Sequence, residues 1–155
     1  MRRKRNYKKD HNPDIKFDSV AIGRFVNYLM KQGEKSTAER VLYKSLDKVE
    51  KETKENPVVV FEKAIENASP LLEVVSKRVG GANYQVPREV RPERKFFLAC
   101  KWIIEAARAK KGKPMSDKLA EELILAFKNE GAAIKKKQNV HRMAEANRAF
   151  AHFAR

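Results

Sequence analysis

The chain is poor in the residues that build metal centres and covalent staples. It has one cysteine, Cys100, and three histidines, His11, His141 and His152. A single cysteine excludes an internal disulfide and fits a reducing compartment. No Cys-x-x-Cys or His-Glu-x-x-His spacing occurs, so the clustered deprotonated ligands that a zinc site needs are missing, and no metal or cofactor is expected. His141 and His152 lie eleven residues apart. That spacing suits hydrogen bonds to RNA or within the core better than ligation.

Long apolar runs are absent as well. Nothing approaches the roughly 20 residues that span a bilayer, so no membrane association is expected. Met1-Arg2-Arg3-Lys4-Arg5 resembles the charged start of a secretory signal, but the next residues are polar, so the apolar stretch of a signal is lacking. The expected location is cytoplasmic. Gly80-Gly81 has no helix after it to complete a phosphate cradle, and reads as a turn. No motif nominates a nucleophile with a base and an orienting acid, which argues against an enzyme.

What is abundant is positive charge: 35 Lys and Arg against 20 Asp and Glu in 155 residues, a net charge of +15. The excess is unevenly placed. Residues 1–16 carry +5, 77–113 carry +8 and 135–155 carry +5, whereas 34–73 carry −2. An isolated charge run is usually a solvated helix face. Three separated clusters beside a near-neutral segment instead point to a polyanion whose phosphates they neutralise, releasing counterions.

The length suits one domain. Residues 1–17 read as an extended basic arm that orders on its partner, and 18–155 as a single helical domain. Ile22, Phe25, Val26, Leu29 and Met30 form a helical stripe starting at Ser19 and ending near Gly33. A second helix covers about 36–53, with Ala38, Val41, Leu42, Ser45 and Val49 inward. Asn56-Pro57 reads as a cap and first turn, opening a helix with Val58, Phe61, Ile65 and Ala68 inward and closed by Pro70.

From Leu72 the period falls to two, and 72–90 reads as a β-hairpin with a turn over Gly80, Gly81, Ala82 and Asn83. Two strands are marginal alone and Pro87 removes a ladder donor, so helices at the base or RNA at the tip must support this finger. Pro92 opens a helix with Phe96, Cys100, Ile103, Ile104 and Ala107 inward, Phe97 and Trp102 flanking, and a stop near Gly112. Ser116 is the expected cap of the next helix, which carries Leu119, Leu123, Ile124 and Phe127 to about Asn129. The last helix covers about 132–150, unless Asn139 marks a restart. The expected fold is mostly α: a bundle of about six helices with one protruding two-stranded hairpin and a basic N-terminal arm.

The hairpin and its flanks hold Lys77, Arg78, Tyr84, Gln85, Arg88, Arg91, Arg94 and Lys95. Arginine grips phosphate bidentately. Tyr84 suits either stacking on an unpaired base or packing across the ribbon.

Several stretches resemble the bacterial type of the small-subunit ribosomal protein number seven family, over about residues 13–153. They are Val79-Gly80-Gly81-Ala82-Asn83-Tyr84-Gln85-Val86-Pro87, Glu89-Val90-Arg91-Pro92, Gly131-Ala132-Ala133, and the run from His141-Arg142-Met143-Ala144 through Asn147 to His152. Phe25-Val26-Asn27-Tyr28-Leu29-Met30 with Gly33-Glu34-Lys35-Ser36 also fits, although the family usually has lysine where this chain has Glu34. The resemblance implies a helical body with a protruding hairpin and a primary binder of 16S rRNA that nucleates the head (3′ major domain). It implies a place near the tRNA exit site and the mRNA path, with small-subunit proteins nine and eleven as neighbours.

On the matching motifs it implies rRNA contacts from Arg2, Arg3, Lys4, Arg5, Lys8, Lys9, Lys35, Lys77, Arg78, Arg88, Arg91, Arg94 and Lys95, and the basic helix end adds Lys110, Lys111 and Lys113. Gly80, Gly81, Ala82, Asn83, Tyr84, Gln85, Arg142, Met143 and Asn147 would face exit-site tRNA and mRNA. A basic nucleic-acid-processing enzyme, or a free RNA or DNA regulator, are the competing readings.

Overall fold

The computed structural model describes residues 11–154. Six α-helices surround one core: α1 (Val20–Leu29), α2 (Lys35–Thr53), α3 (Pro57–Ala68), α4 (Pro92–Ala109), α5 (Met115–Phe127) and α6 (Ala132–Ala146). Strands β1 (Leu72–Val79) and β2 (Ala82–Glu89) form the hairpin between α3 and α4, and a 3-10 helix, Arg148–Ala154, follows α6.

The helices form where the periodic stripes and start signals agree. The Asn56 side chain accepts from the Val58 N–H at 2.9 Å, and Pro57 occupies the first helical position, where its missing donor costs nothing. Pro92 opens α4 in the same way. Apolar stripes then converge on α5, which packs against α2, α3 and α4. Leu119 and Leu123 are wholly buried there with Phe25, Leu42, Leu46, Phe61 and Ile103. Phe25 and Phe61 meet edge to face at 5.2 Å, an arrangement favoured by the ring quadrupoles. Each such side chain contributes roughly 1.5–3 kcal/mol by leaving water.

Four local expectations need correction. The hairpin turn is two residues, Gly80-Gly81, because Val79 pairs with Ala82 and Arg78 with Asn83. Both glycines have positive φ, 58° and 92°, which the tight turn demands at both central positions. Ser116 is not the cap of α5: Asp117 and Lys118 both donate to the Pro114 carbonyl, so the helix begins at Met115 and the Ser116 hydroxyl bonds Asp117 instead. Helix α6 runs unbroken through Asn139 and stops at Ala146 rather than near Phe150. The Asn147 side chain donates to the Met143 carbonyl at 2.8 Å, competing with helical continuation, and the chain tightens into the 3-10 turn. Trp102, expected at the flank of α4, is buried.

Candidate nucleic-acid interface

The hairpin leans on protein along one face. Alternation along paired strands puts Glu73, Val75, Lys77, Tyr84, Val86 and Arg88 on that side. The C-terminal 3-10 helix packs against β2, and Tyr84 sits 5.2 Å from the ring of Phe150 and 5.2 Å from that of Phe153. The Lys77 ammonium donates to the Phe153 carbonyl at 2.6 Å. Tyr84 is half-buried. It joins a three-ring cluster that ties strand to terminus.

Towards the tip, the opposite face carries Ser76, Arg78, Asn83 and Gln85, all exposed, whereas nearer the base Val74 is half-buried and Pro87 buried. Among the described residues, none of these four side chains has a hydrogen-bond or ion-pair partner. This is the open, polar side of the finger, and it holds one guanidinium and two carboxamides that can grip phosphate or meet a base edge.

At the hairpin base, Arg88 Nε and Nη2 both donate to Glu73 Oε1, at 2.9 and 2.7 Å, and Arg94 Nε donates to Glu73 Oε2 at 3.3 Å. Burial pushes the Glu73 carboxyl up, but the two guanidiniums outweigh it and hold it below the ordinary glutamate range. Half of each arginine side chain remains exposed, so both can still meet a phosphate. Arg91 and Arg78 are exposed and Lys95 is half-buried, and none has a carboxylate partner among the described residues.

The remaining cations divide similarly. Lys35 lies 3.6 Å from Glu39, Lys113 pairs with Glu121, and Lys110 lies 3.1 Å from the buried Glu122. Lys111 is exposed with no partner among the described residues. Arg2, Arg3, Lys4, Arg5, Lys8 and Lys9 lie outside the described residues. The chain just beyond them is pinned to the body. Buried Asp14 accepts from the Lys16 and Phe17 N–H groups and, at 2.8 Å, from the Tyr43 hydroxyl. Burial and that carboxylate push Tyr43 up to about 12.

The other exit-site candidates sit on the end of α6. Arg142 and Met143 are exposed, and Asn147 is spent on its own helix end. His141 is half-buried, and its Nε2 accepts from the Leu71 N–H at 3.0 Å, fastening α6 to the hairpin root. Burial, then the nearby Lys137 charge, hold its pKa below the ordinary histidine value. Folding therefore favours the neutral ring. Its contribution is full above about pH 6.5, the unfolded value, and is lost as pH falls through the folded value. Thermal midpoints are expected to drop more between pH 7 and pH 5.5 for the natural chain than for His141→Gln. Parallel curves for the two would refute the contact.

Sequence reasoning passed over Arg24, Tyr28, Phe96 and Phe97 as a surface group. All are half-buried. Their only sequence signal was Arg24 and Tyr28 at i, i+4 on the outer side of α1. Among the described residues, no group of three or more His, Cys, Asp or Glu is placed to hold a metal, and no helix is long and apolar enough to cross a membrane. The Cys100 thiol is buried, which pushes its pKa up and leaves it a core side chain.

This arrangement, a helical body with a one-sided polar finger and basic flanks, can be set beside known proteins. The family profile described as ribosomal protein S7p/S5e matches residues 1–148. A small ribosomal subunit protein uS7 from Thermotoga maritima is 52% identical over 153 residues, 99% of both chains. Proteins of the same name from Thermosipho africanus and from Francisella tularensis subsp. holarctica are each 52% identical over 153 residues, covering 99% and 98% of both chains respectively. With the profile spanning nearly the whole chain and half of all positions identical across that span, the chain belongs to the ribosomal protein S7p/S5e family.

Proposed function

We propose that this chain is a structural, non-enzymatic constituent of the small ribosomal subunit in the cytoplasm. In this reading it binds 16S rRNA as a primary protein and nucleates assembly of the head. Residues 1–17 act as a basic arm and 18–155 as one rRNA-binding domain. The observation that carries the proposal is the placement of cations without carboxylate partners, Arg78, Arg91, Lys95 and Lys111, on the hairpin and at the ends of α4. An RNA junction recognised by shape needs such spaced phosphate contacts, and little base-edge reading.

The finer assignments follow the same logic. The arm cations, Lys35, Lys77, Arg88, Arg94, Lys110 and Lys113 join those four on rRNA, with paired cations exchanging a carboxylate for a phosphate. The hairpin tip and the exposed Arg142 and Met143 face exit-site tRNA and mRNA, and small-subunit proteins nine and eleven are neighbours.

Reconstitution with 16S rRNA, followed by sedimentation in high salt, tests the assignment. The natural chain should remain with the particle, and a chain that washes off completely would defeat it. Replacing Asn83 and Gln85 together by alanine should leave incorporation intact, because these side chains carry no charge for rRNA phosphates and support no fold contact, while changing release of deacylated tRNA. Failed incorporation, or unchanged tRNA release, would count against the tip assignment.

A further inference from the structure

Four half-buried side chains on α1 and α4, with one exposed arginine, make a continuous ladder of rings and guanidiniums. The Arg24 guanidinium lies 4.6 Å over Phe96, Tyr28 packs against Phe96 at 6.3 Å and Phe97 at 5.4 Å, and Arg94 lies 5.1 Å over Phe97. Core packing accounts for the inner edges of these rings. It does not account for the Arg24 guanidinium. The Arg24 Nε is buried with no hydrogen-bond partner. A guanidinium placed over a ring with its Nε unpaired is costly for a mere core rim, since an unpaired buried donor is destabilising.

We infer that this ladder is a stacking site for one unpaired RNA base, with Tyr28 and Phe97 supplying the ring faces and Arg24 and Arg94 the flanking cations. The inference rests on the rRNA-binding reading and deepens it. Aromatic faces accept any base, and guanidiniums add cation–π attraction and a grip on the adjoining phosphate. The position fits, because Arg94 also touches Glu73 at the hairpin base, so the ladder continues the basic surface onto α1. Phosphate contacts would fix the register there, while the ladder takes a base splayed out of the junction.

The test measures binding of the full chain to a 16S 3′-domain fragment across a salt series, for the natural protein and for Tyr28→Leu, Phe97→Leu and Tyr28→Phe. Leucine keeps apolar bulk and removes the π-face. Each leucine variant should bind about five- to a hundredfold more weakly. The slope of log affinity against log salt should stay unchanged, because no phosphate contact is lost, and Tyr28→Phe should retain most of the affinity. Undiminished affinity in both leucine variants, or a loss accompanied by a shallower slope, overturns the inference. Should a leucine variant fail to fold, ultraviolet crosslinking of the natural complex decides. RNA adducts on Tyr28 or Phe97 are expected, and adducts confined to other segments overturn the site. If the natural chain shows no affinity for the fragment, the rRNA-binding reading itself fails.

Discussion

Raising monovalent salt from about 50 to 200 mM is expected to weaken binding of this chain to a 16S 3′-domain fragment by roughly a thousand- to a hundred-thousandfold, the loss that six to ten phosphate contacts produce. The net charge of +15 alone would not justify that figure, because part of it is neutralised within the fold. Arg88 and Arg94 share Glu73, and Lys110 and Lys113 share the Glu121 and Glu122 pair of carboxylates. Of the candidate rRNA cations among the described residues, Arg78, Arg91, Lys95 and Lys111 have no carboxylate partner, and the sequence adds the cations of residues 1–9. Each contact should add about 0.7 to 0.9 to the slope of log affinity against log salt. Arg91→Gln and Lys95→Gln should each flatten the slope by about one contact, and Arg88→Gln by less, since its charge is already partly offset. Filter binding over four salt concentrations measures this, and a slope near zero would refute phosphate clamping.

The second large effect concerns stability rather than binding. Glu122 on α5 is wholly buried. Its Oε1 accepts from the Ala133 N–H at 3.0 Å, satisfying one of the open donors at the start of α6, and its Oε2 meets Lys110 at 3.1 Å. One carboxylate thus fastens α6 and the end of α4 to the central helix. Glu122→Ala leaves a buried N–H unpaired and removes the nearer of the two carboxylates beside Lys110, a cation that is only 27% exposed. The expected cost is about 2–4 kcal/mol, somewhat less than for a fully buried pair. In a domain of this size, that lowers the melting midpoint by about 5–15 °C.

Gly131→Ala should act on the same joint. Its φ of 95° strains any residue with a side chain, and an added Cβ would lie 2.9 Å from the Glu122 Oε1. Thermal melts followed by circular dichroism read both variants. A midpoint for Glu122→Ala within about 2 °C of the natural chain would show that the joint contributes little.

Much of this architecture is written in local pattern. Ile22, Phe25, Val26 and Leu29 repeat at helical spacing and are buried, and Asn56-Pro57 opens a helix where its chemistry requires. The change from a period of 3.6 to 2 at Leu72 marks the hairpin. These features were readable because each depends on neighbours within one element: a stripe, a cap, a turn. The basic character of the interface was readable too, since charge is additive along the chain. Even so, local signals set only approximate boundaries, as Ser116 and the end of α6 show.

Tertiary structure decided which of these residues remain available. Periodicity reports that one face of an element is covered but not by what, so nothing in the hairpin's sequence reveals that Phe150 and Phe153 shield Tyr84 and leave Arg78, Asn83 and Gln85 as the open side. The division of arginines and lysines into paired and unpaired likewise depends on contacts between separate elements, such as Glu73 of β1 with Arg94 of α4. The ladder of Arg24, Tyr28, Phe96 and Phe97 exists only because α1 and α4 pack side by side. Sequence by itself determined the elements, the core stripes and the kind of partner, because burial and charge are properties of single residues. The fold alone determined which surfaces stay open to such a partner, because exposure and pairing are properties of residues brought together from distant parts of the chain.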